Sequence, residues 1–124
     1  MFANSAAFSG FAVDDIDRAR AFYGETLEIR TSEEHGLMWL HLAGGRDVLV
    51  YPKGADHTPA TFTILNFPVD DIEGAVDELA ARDVEMLRYD DFAQDERGIM
   101  REGGPYIAWF TDPAGNVLSV MQER

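Results

Sequence analysis

The side chains able to do chemistry in this chain are few. There are three histidines, His35, His41 and His57, and no cysteine, which excludes disulfides, thiolate zinc sites, iron–sulfur clusters and a cysteine nucleophile. Any metal must therefore be held by imidazole and carboxylate. His35 and His57 fall in expected turns. His41 alone falls on an expected strand, and it is the one candidate general acid or base, imidazole being the side chain suited to moving protons at neutral pH. A hydrogen-bonded packing role is the competing reading, and a metal site built from His41 with Asp47, Glu85 or Glu102 is a further one.

The carboxylates read differently. Asp14-Asp15 and Asp70-Asp71 resemble acid/base or metal-binding pairs, but both stand at expected helix starts, where capping accounts for them. Asp90, Asp91, Asp95 and Glu96 form a cluster that could attract a cation or simply solvate a loop. Trp39, Tyr51, Tyr106 and Trp109 could supply aromatic walls for a small molecule; filling a core or an interface suits Trp39 and Tyr51 equally well. No nucleophile motif, phosphate-cradling loop or dinucleotide fingerprint is present.

The elements that position these residues follow from an internal repeat. Phe11-Ala12-Val13-Asp14-Asp15-Ile16-Asp17-Arg18-Ala19 recurs 56 residues on as Phe67-Pro68-Val69-Asp70-Asp71-Ile72-Glu73-Gly74-Ala75. Each copy reads as strand, aspartate cap and helix. Ile72, Ala75, Val76, Leu79 and Ala80 make one apolar helical stripe, and Ile16, Ala19 and Tyr23 part of another. Gly24 is placed to end the first helix, and Asp83 stands where a left-handed residue is expected to end the second.

Strand patterns follow each helix: Leu27–Ser32, Leu37–Ala43 and Asp47–Tyr51 in the first half, and Val84–Tyr89, Tyr106–Thr111 and Asn116–Met121 in the second. Gly44-Gly45 and Asp112-Pro113-Ala114-Gly115-Asn116 supply turns. The expected fold is α+β: two βαβββ modules, about residues 5–52 and 60–122, within a single domain. The irregular stretch from Asp90 to Gly104 is of the kind that lies over binding sites.

Composition narrows the partners. The 124 residues are 46% apolar and carry a net charge of −13, enough apolar content for one packed core. That charge repels nucleic-acid phosphates, and the ten basic residues form no stripe. The start has no basic stretch, and no apolar run approaches the roughly 18 to 20 residues that cross a bilayer. A cytoplasmic protein without nucleic-acid or membrane partners is expected, its acidity either solvating the surface or favouring a cationic small molecule.

The two repeats, the Phe11-Ala12-Val13-Asp14-Asp15-Ile16…Ala21-Phe22-Tyr23 opening and the closing Phe110-Thr111-Asp112-Pro113-Ala114-Gly115-Asn116-Val117-Leu118 hairpin resemble the vicinal oxygen chelate superfamily. That group includes glyoxalase I, extradiol dioxygenases, fosfomycin-modifying enzymes and bleomycin resistance proteins. The resemblance implies modules whose sheets curl into a half-barrel cleft, commonly in a homodimer. In its metal-dependent members, His, Glu or Gln side chains from the first and last strand of each module hold a divalent ion. The matching positions here are Phe8, Leu49, Ile64 and Ser119, three apolar groups and one hydroxyl.

No metal or other cofactor is therefore expected, and the implied function is small-molecule binding of the bleomycin resistance type. A lyase, isomerase or dioxygenase with a relocated metal site is the alternative. Strand alternation gives the expected cleft residues as Phe8, Trp39, His41, Leu49, Tyr51, Ile64, Asn66, Ser119 and Met121, with one of Tyr106 and Trp109, which lie three apart.

Overall fold

In a computed structural model all 124 residues are described, and the chain divides into two compact units, Met1–Thr58 and Pro59–Arg124. The first contains β1 (Ser9–Val13), α1 (Ile16–Arg20), a wide π-helical turn (Ala21–Thr26), β2 (Arg30–Glu34), β3 (Leu37–Leu42) and β4 (Arg46–Pro52). The sheet order is β1-β4-β3-β2, with β1 parallel to β4 and the other pairs antiparallel.

One face of this sheet packs under the helix. Phe11, Val13, Met38, Leu40, Val48 and Val50 alternate inward and are buried with Ala19, Phe22 and Tyr23. Tyr23 has no exposed surface and sits 5.6 Å from Phe11 and 5.1 Å from Phe22, ring centre to ring centre. The capping role of the aspartates is direct: the Asp15 carboxylate accepts from the Asp17 and Arg18 N–H groups, at 2.9 and 3.2 Å. Gly24 does not end the helix. The chain widens through it, the Leu27 N–H reaching back to the Phe22 carbonyl, and Glu28 takes the left-handed conformation instead.

The second unit contains β5 (Thr63–Pro68), α2 (Ile72–Ala81), β6 (Tyr106–Thr111) and β7 (Val117–Gln122), in sheet order β5-β7-β6. The Asp71 carboxylate caps α2 by accepting from the Gly74 N–H at 3.1 Å. Asp83 ends the helix at a φ of 65°, the left-handed geometry its position requires. Ile72, Val76 and Leu79 of α2 are buried, as are Ala108, Phe110, Leu118 and Val120 of the sheet.

The fourth strand expected over Val84–Tyr89 does not form. Only Met86 bridges to Phe110, and Met100 to Ile107, along the outer edge of β6. The Gln94 side chain explains the difference: its amide donates to the Leu87 carbonyl at 2.9 Å and its oxygen accepts from the Tyr89 N–H at 2.7 Å. Those backbone groups are satisfied without a partner strand. The second module is thus a βαββ unit with a bridged loop along its edge strand.

That loop is tied to α2. Arg97 pairs with Asp77 at 2.9 Å and Arg101 with Glu73 at 3.2 Å. Asp95 gathers the turn, accepting from the Arg97 and Ile99 N–H groups at 2.9 Å and from Arg101 Nε at 3.1 Å. Burial pushes the Asp95 carboxyl up, but the hydrogen bonds from Ile99, Arg101 and Arg97 outweigh it and hold the group below the ordinary value. No helix is long and apolar enough to cross a membrane.

Candidate functional site

The open face of the first unit's sheet carries most of the chemistry. Pairing sets its rows: Arg30 lies opposite His41, Ser32 opposite Trp39 and Glu34 opposite Leu37, while Trp39 and His41 face Leu49 and Asp47 across β4. Residues directly opposite share a face, so Arg30, Ser32, Trp39, His41, Asp47, Leu49 and Tyr51 all lie away from the helix. Phe8 precedes β1 on the same face, 61% exposed, and its ring meets Trp39 edge-on at 5.0 Å. Tyr51 is also exposed. Gly10 lets the strands approach closely there, since a Cβ on it would lie 3.1 Å from the Leu49 carbonyl oxygen.

His41 is held on both sides. Its Nδ1 lies 2.9 Å from Asp47 Oδ1 and its Nε2 2.7 Å from Ser32 Oγ. The His41 side chain is 22% exposed and that of Asp47 48%. Ser32 was not among the residues anticipated from sequence. The signal is present, because an antiparallel β2–β3 hairpin turning at His35-Gly36 sets Ser32 diagonally across from His41, but the sequence pattern reads as a strand over Leu27–Ser32, whereas β2 runs from Arg30 to Glu34.

In the second unit, Ser119 is fully buried and donates from Oγ to Asn66 Oδ1 at 2.6 Å, the two residues pairing across β5 and β7. Trp109 lies opposite Ser119 and Ile107 opposite Met121, which places Trp109, Ser119 and Met121 on one face. Ile64 sits at a register shift in β5. Tyr106 does not share the Trp109 face; it pairs opposite Gln122, whose side-chain oxygen accepts from the Ile72 N–H of α2, and the Arg101 and Arg124 guanidinium groups lie over its ring at 5.2 and 5.7 Å. Two further aromatics join Trp109: Tyr89 at 5.5 Å and Phe92 at 5.2 Å, themselves 5.3 Å apart. Sequence reasoning missed both, because they belong to the segment that was expected to be a strand and the loop after it.

The closing turn is built around two buried polar side chains. Asp112 Oδ1 accepts from the Ala114 and Asn116 N–H groups at 2.9 Å each, and Oδ2 from Asn116 Nδ2 at 3.1 Å. Asn116 Oδ1 in turn accepts from the Ala60 N–H at 3.0 Å.

Over residues 6–120 the chain matches the profile of the Glyoxalase/Bleomycin resistance protein/Dioxygenase superfamily. The chain belongs to that superfamily. No curated protein matches it in sequence. Among solved structures, TnmS3, an antibiotic binding protein from a Streptomyces species, is 19% identical with 98% of each chain covered and a TM-score of 0.70. The fosfomycin resistance protein FosX from Listeria monocytogenes is 13% identical, with 98% of this chain and 94% of that one covered and a TM-score of 0.72. At these identities the likeness is one of fold.

The superfamily includes members that use a divalent ion, and the residues here do not fit one. Phe8, Leu49 and Ile64 offer carbon, and the Ser119 hydroxyl is committed to Asn66. Nor do three His, Asp or Glu side chains come together elsewhere in the chain. His41 has Asp47 beside it, but Glu85 and Glu102 do not complete a site.

Proposed function

We propose that this superfamily member binds a small aromatic molecule without a metal ion, in the manner suggested by its antibiotic-binding structural relative, and that it acts as a homodimer in the cytoplasm. The observation that carries the reading is the chemistry of four positions. Where metal-dependent relatives would place His, Glu or Gln, this chain has Phe8, Leu49, Ile64 and Ser119. Beside them stand aromatic surfaces suited to stacking, Phe8 on Trp39 in one unit and Tyr89, Phe92 and Trp109 in the other. A net charge of −13 favours a cationic ligand by steering its approach.

The test is a calorimetric titration with bleomycin as the cationic probe and 1-naphthol as the neutral aromatic one, run with and without chelator. Binding that survives chelation, together with tryptophan quenching, supports the reading. A stoichiometric divalent metal in protein purified without chelator, required for binding and raising the melting temperature, refutes it. Sedimentation equilibrium checks the dimer.

A further inference from the structure

Ser32, His41 and Asp47 form an ordered hydrogen-bonded chain that simple ligand binding does not need. Asp47 can only accept hydrogen bonds when ionised, so with a neutral imidazole the 2.9 Å contact requires His41 Nδ1 to carry the proton. Nε2 is then a lone pair, and the Ser32 hydroxyl 2.7 Å away must donate to it. A serine hydroxyl directed at an imidazole whose tautomer is fixed by a carboxylate is the arrangement that activates serine as a nucleophile.

The surroundings suit an ester. Ser32 lies on β2, the edge strand of its sheet, and is exposed, so a substrate can reach it. Trp39 lies directly across from Ser32 and carries Phe8 against its ring, an apolar wall beside the hydroxyl. Arg30 is two residues along on the same face, opposite His41. It is engaged by no carboxylate, unlike Arg18, Arg20 and Arg97, and so is free to stabilise a developing oxyanion.

We propose that Ser32, His41 and Asp47 are a nucleophilic triad acting on small aryl esters. Ser32 Oγ attacks the ester carbonyl while its proton passes to His41 Nε2, giving a tetrahedral adduct whose oxyanion is stabilised by Arg30. Collapse breaks the bond to the phenolate oxygen, which leaves with the proton from His41 or as phenolate, the proton then passing to water. The acyl-serine is hydrolysed by water, which gives a proton to His41 and displaces the Ser32 alkoxide; that oxygen recovers its proton and the carboxylic acid departs. No oxidant, metal or second substrate is needed. Ser32 and His41 are the catalytic residues, and Asp47 is a positioning residue acting through His41.

The test uses the full chain with p-nitrophenyl acetate and p-nitrophenyl benzoate, following p-nitrophenolate release together with intact and peptide mass spectrometry. The expected result is a burst of p-nitrophenolate and a single acyl group on the peptide containing Ser32. Ser32→Ala removes both, and His41→Gln lowers the acylation rate by about 100-fold or more, the range for loss of a general base. Asp47→Asn lowers kcat with KM unchanged, which a merely structural role would not do. The circular dichroism and unfolding midpoint of each variant confirm that it is folded; should Ser32→Ala not fold, Ser32→Thr serves, with slowed acylation expected from its secondary hydroxyl. Acylation confined to Lys53 or the amino terminus, the absence of a burst, or an undiminished rate in folded Ser32→Ala overturns the proposal.

Discussion

Asp112→Ala is the substitution whose cost can be reckoned most directly. The Asp112 side chain is only 3% exposed and accepts from two backbone N–H groups and the Asn116 amide. Hydrogen bonds to a charged acceptor contribute about 1.5 to 3 kcal/mol each, but they are not additive, and part of the gain is offset by burying the carboxylate. Water entering the vacated space would satisfy some of the donors. A net loss of about 3 kcal/mol is the reasoned figure. With an unfolding entropy of about 2.1 cal/mol/K per residue, it corresponds to a drop of about 12 °C if all 124 residues unfold together. If Pro59–Arg124 unfolds by itself the drop is about 22 °C, because fewer residues share the entropy. The two tryptophans separate these cases, Trp39 reporting on the first unit and Trp109 on the second. Thermal and urea unfolding followed by fluorescence, with single-tryptophan backgrounds, is the assay. Asp112→Asn keeps one acceptor oxygen and should cost about half as much. A loss below about 0.5 kcal/mol for the alanine variant, within the range of an ordinary surface substitution, would refute the claim that this network holds the hairpin.

Gly115→Ala should lose about 1 to 2 kcal/mol, because Gly115 has a φ of +87° and an added Cβ would lie 3.0 Å from Pro59 Cγ; the same unfolding assay checks it. Trp39→Ala should weaken bleomycin or naphthol binding by about 30-fold, the equivalent of about 2 kcal/mol for a central aromatic contact, as read by calorimetry. Acid should release the Asp90–Gly104 loop. A carboxyl held below its ordinary value of 3.8 contributes stability that is fully present above that value and lost as pH falls through the lowered one. Asp95→Asn should therefore flatten the stability profile below about pH 4, and an unchanged acid limb measured by urea unfolding would contradict the assignment.

The readable parts of the fold were those fixed by short-range physics. Asp15 and Asp71 cap helices because their carboxylates reach N–H groups two or three residues on, and the spacing alone revealed it. Strand alternation likewise puts Trp39, His41, Leu49 and Tyr51 on one face of the sheet, and the register of β3 on β4 pairs them so. Gly24 misled because residue type is only a permission. A π-helical turn carries the chain through Gly24, and Glu28 bears the positive φ instead. Val84–Tyr89 misled for a different reason: its apolar pattern is that of a strand, but the competing partner is the side chain of Gln94, reached only through the loop's own fold.

The same distinction separates the two kinds of site information. What a side chain cannot do is legible from its type: the Phe8, Leu49 and Ile64 side chains offer no N, O or S ligand in any fold. What side chains do together depends on register. His41 stands out in the sequence as a lone strand histidine with Asp47 as a candidate neighbour, but Ser32 becomes its partner only because β2 starts at Arg30 and pairs Ser32 with Trp39 rather than with a neighbour. A slip of one residue would turn Ser32 toward the helix and leave Nε2 without its donor. The register of β2 is therefore a chemical feature as much as a structural one. Lengthening the His35-Gly36 turn by one residue, which shifts that register, should abolish Ser32 acylation while the sheet remains intact by circular dichroism. Acylation that persists at Ser32 after such a shift would show that its reactivity does not come from His41.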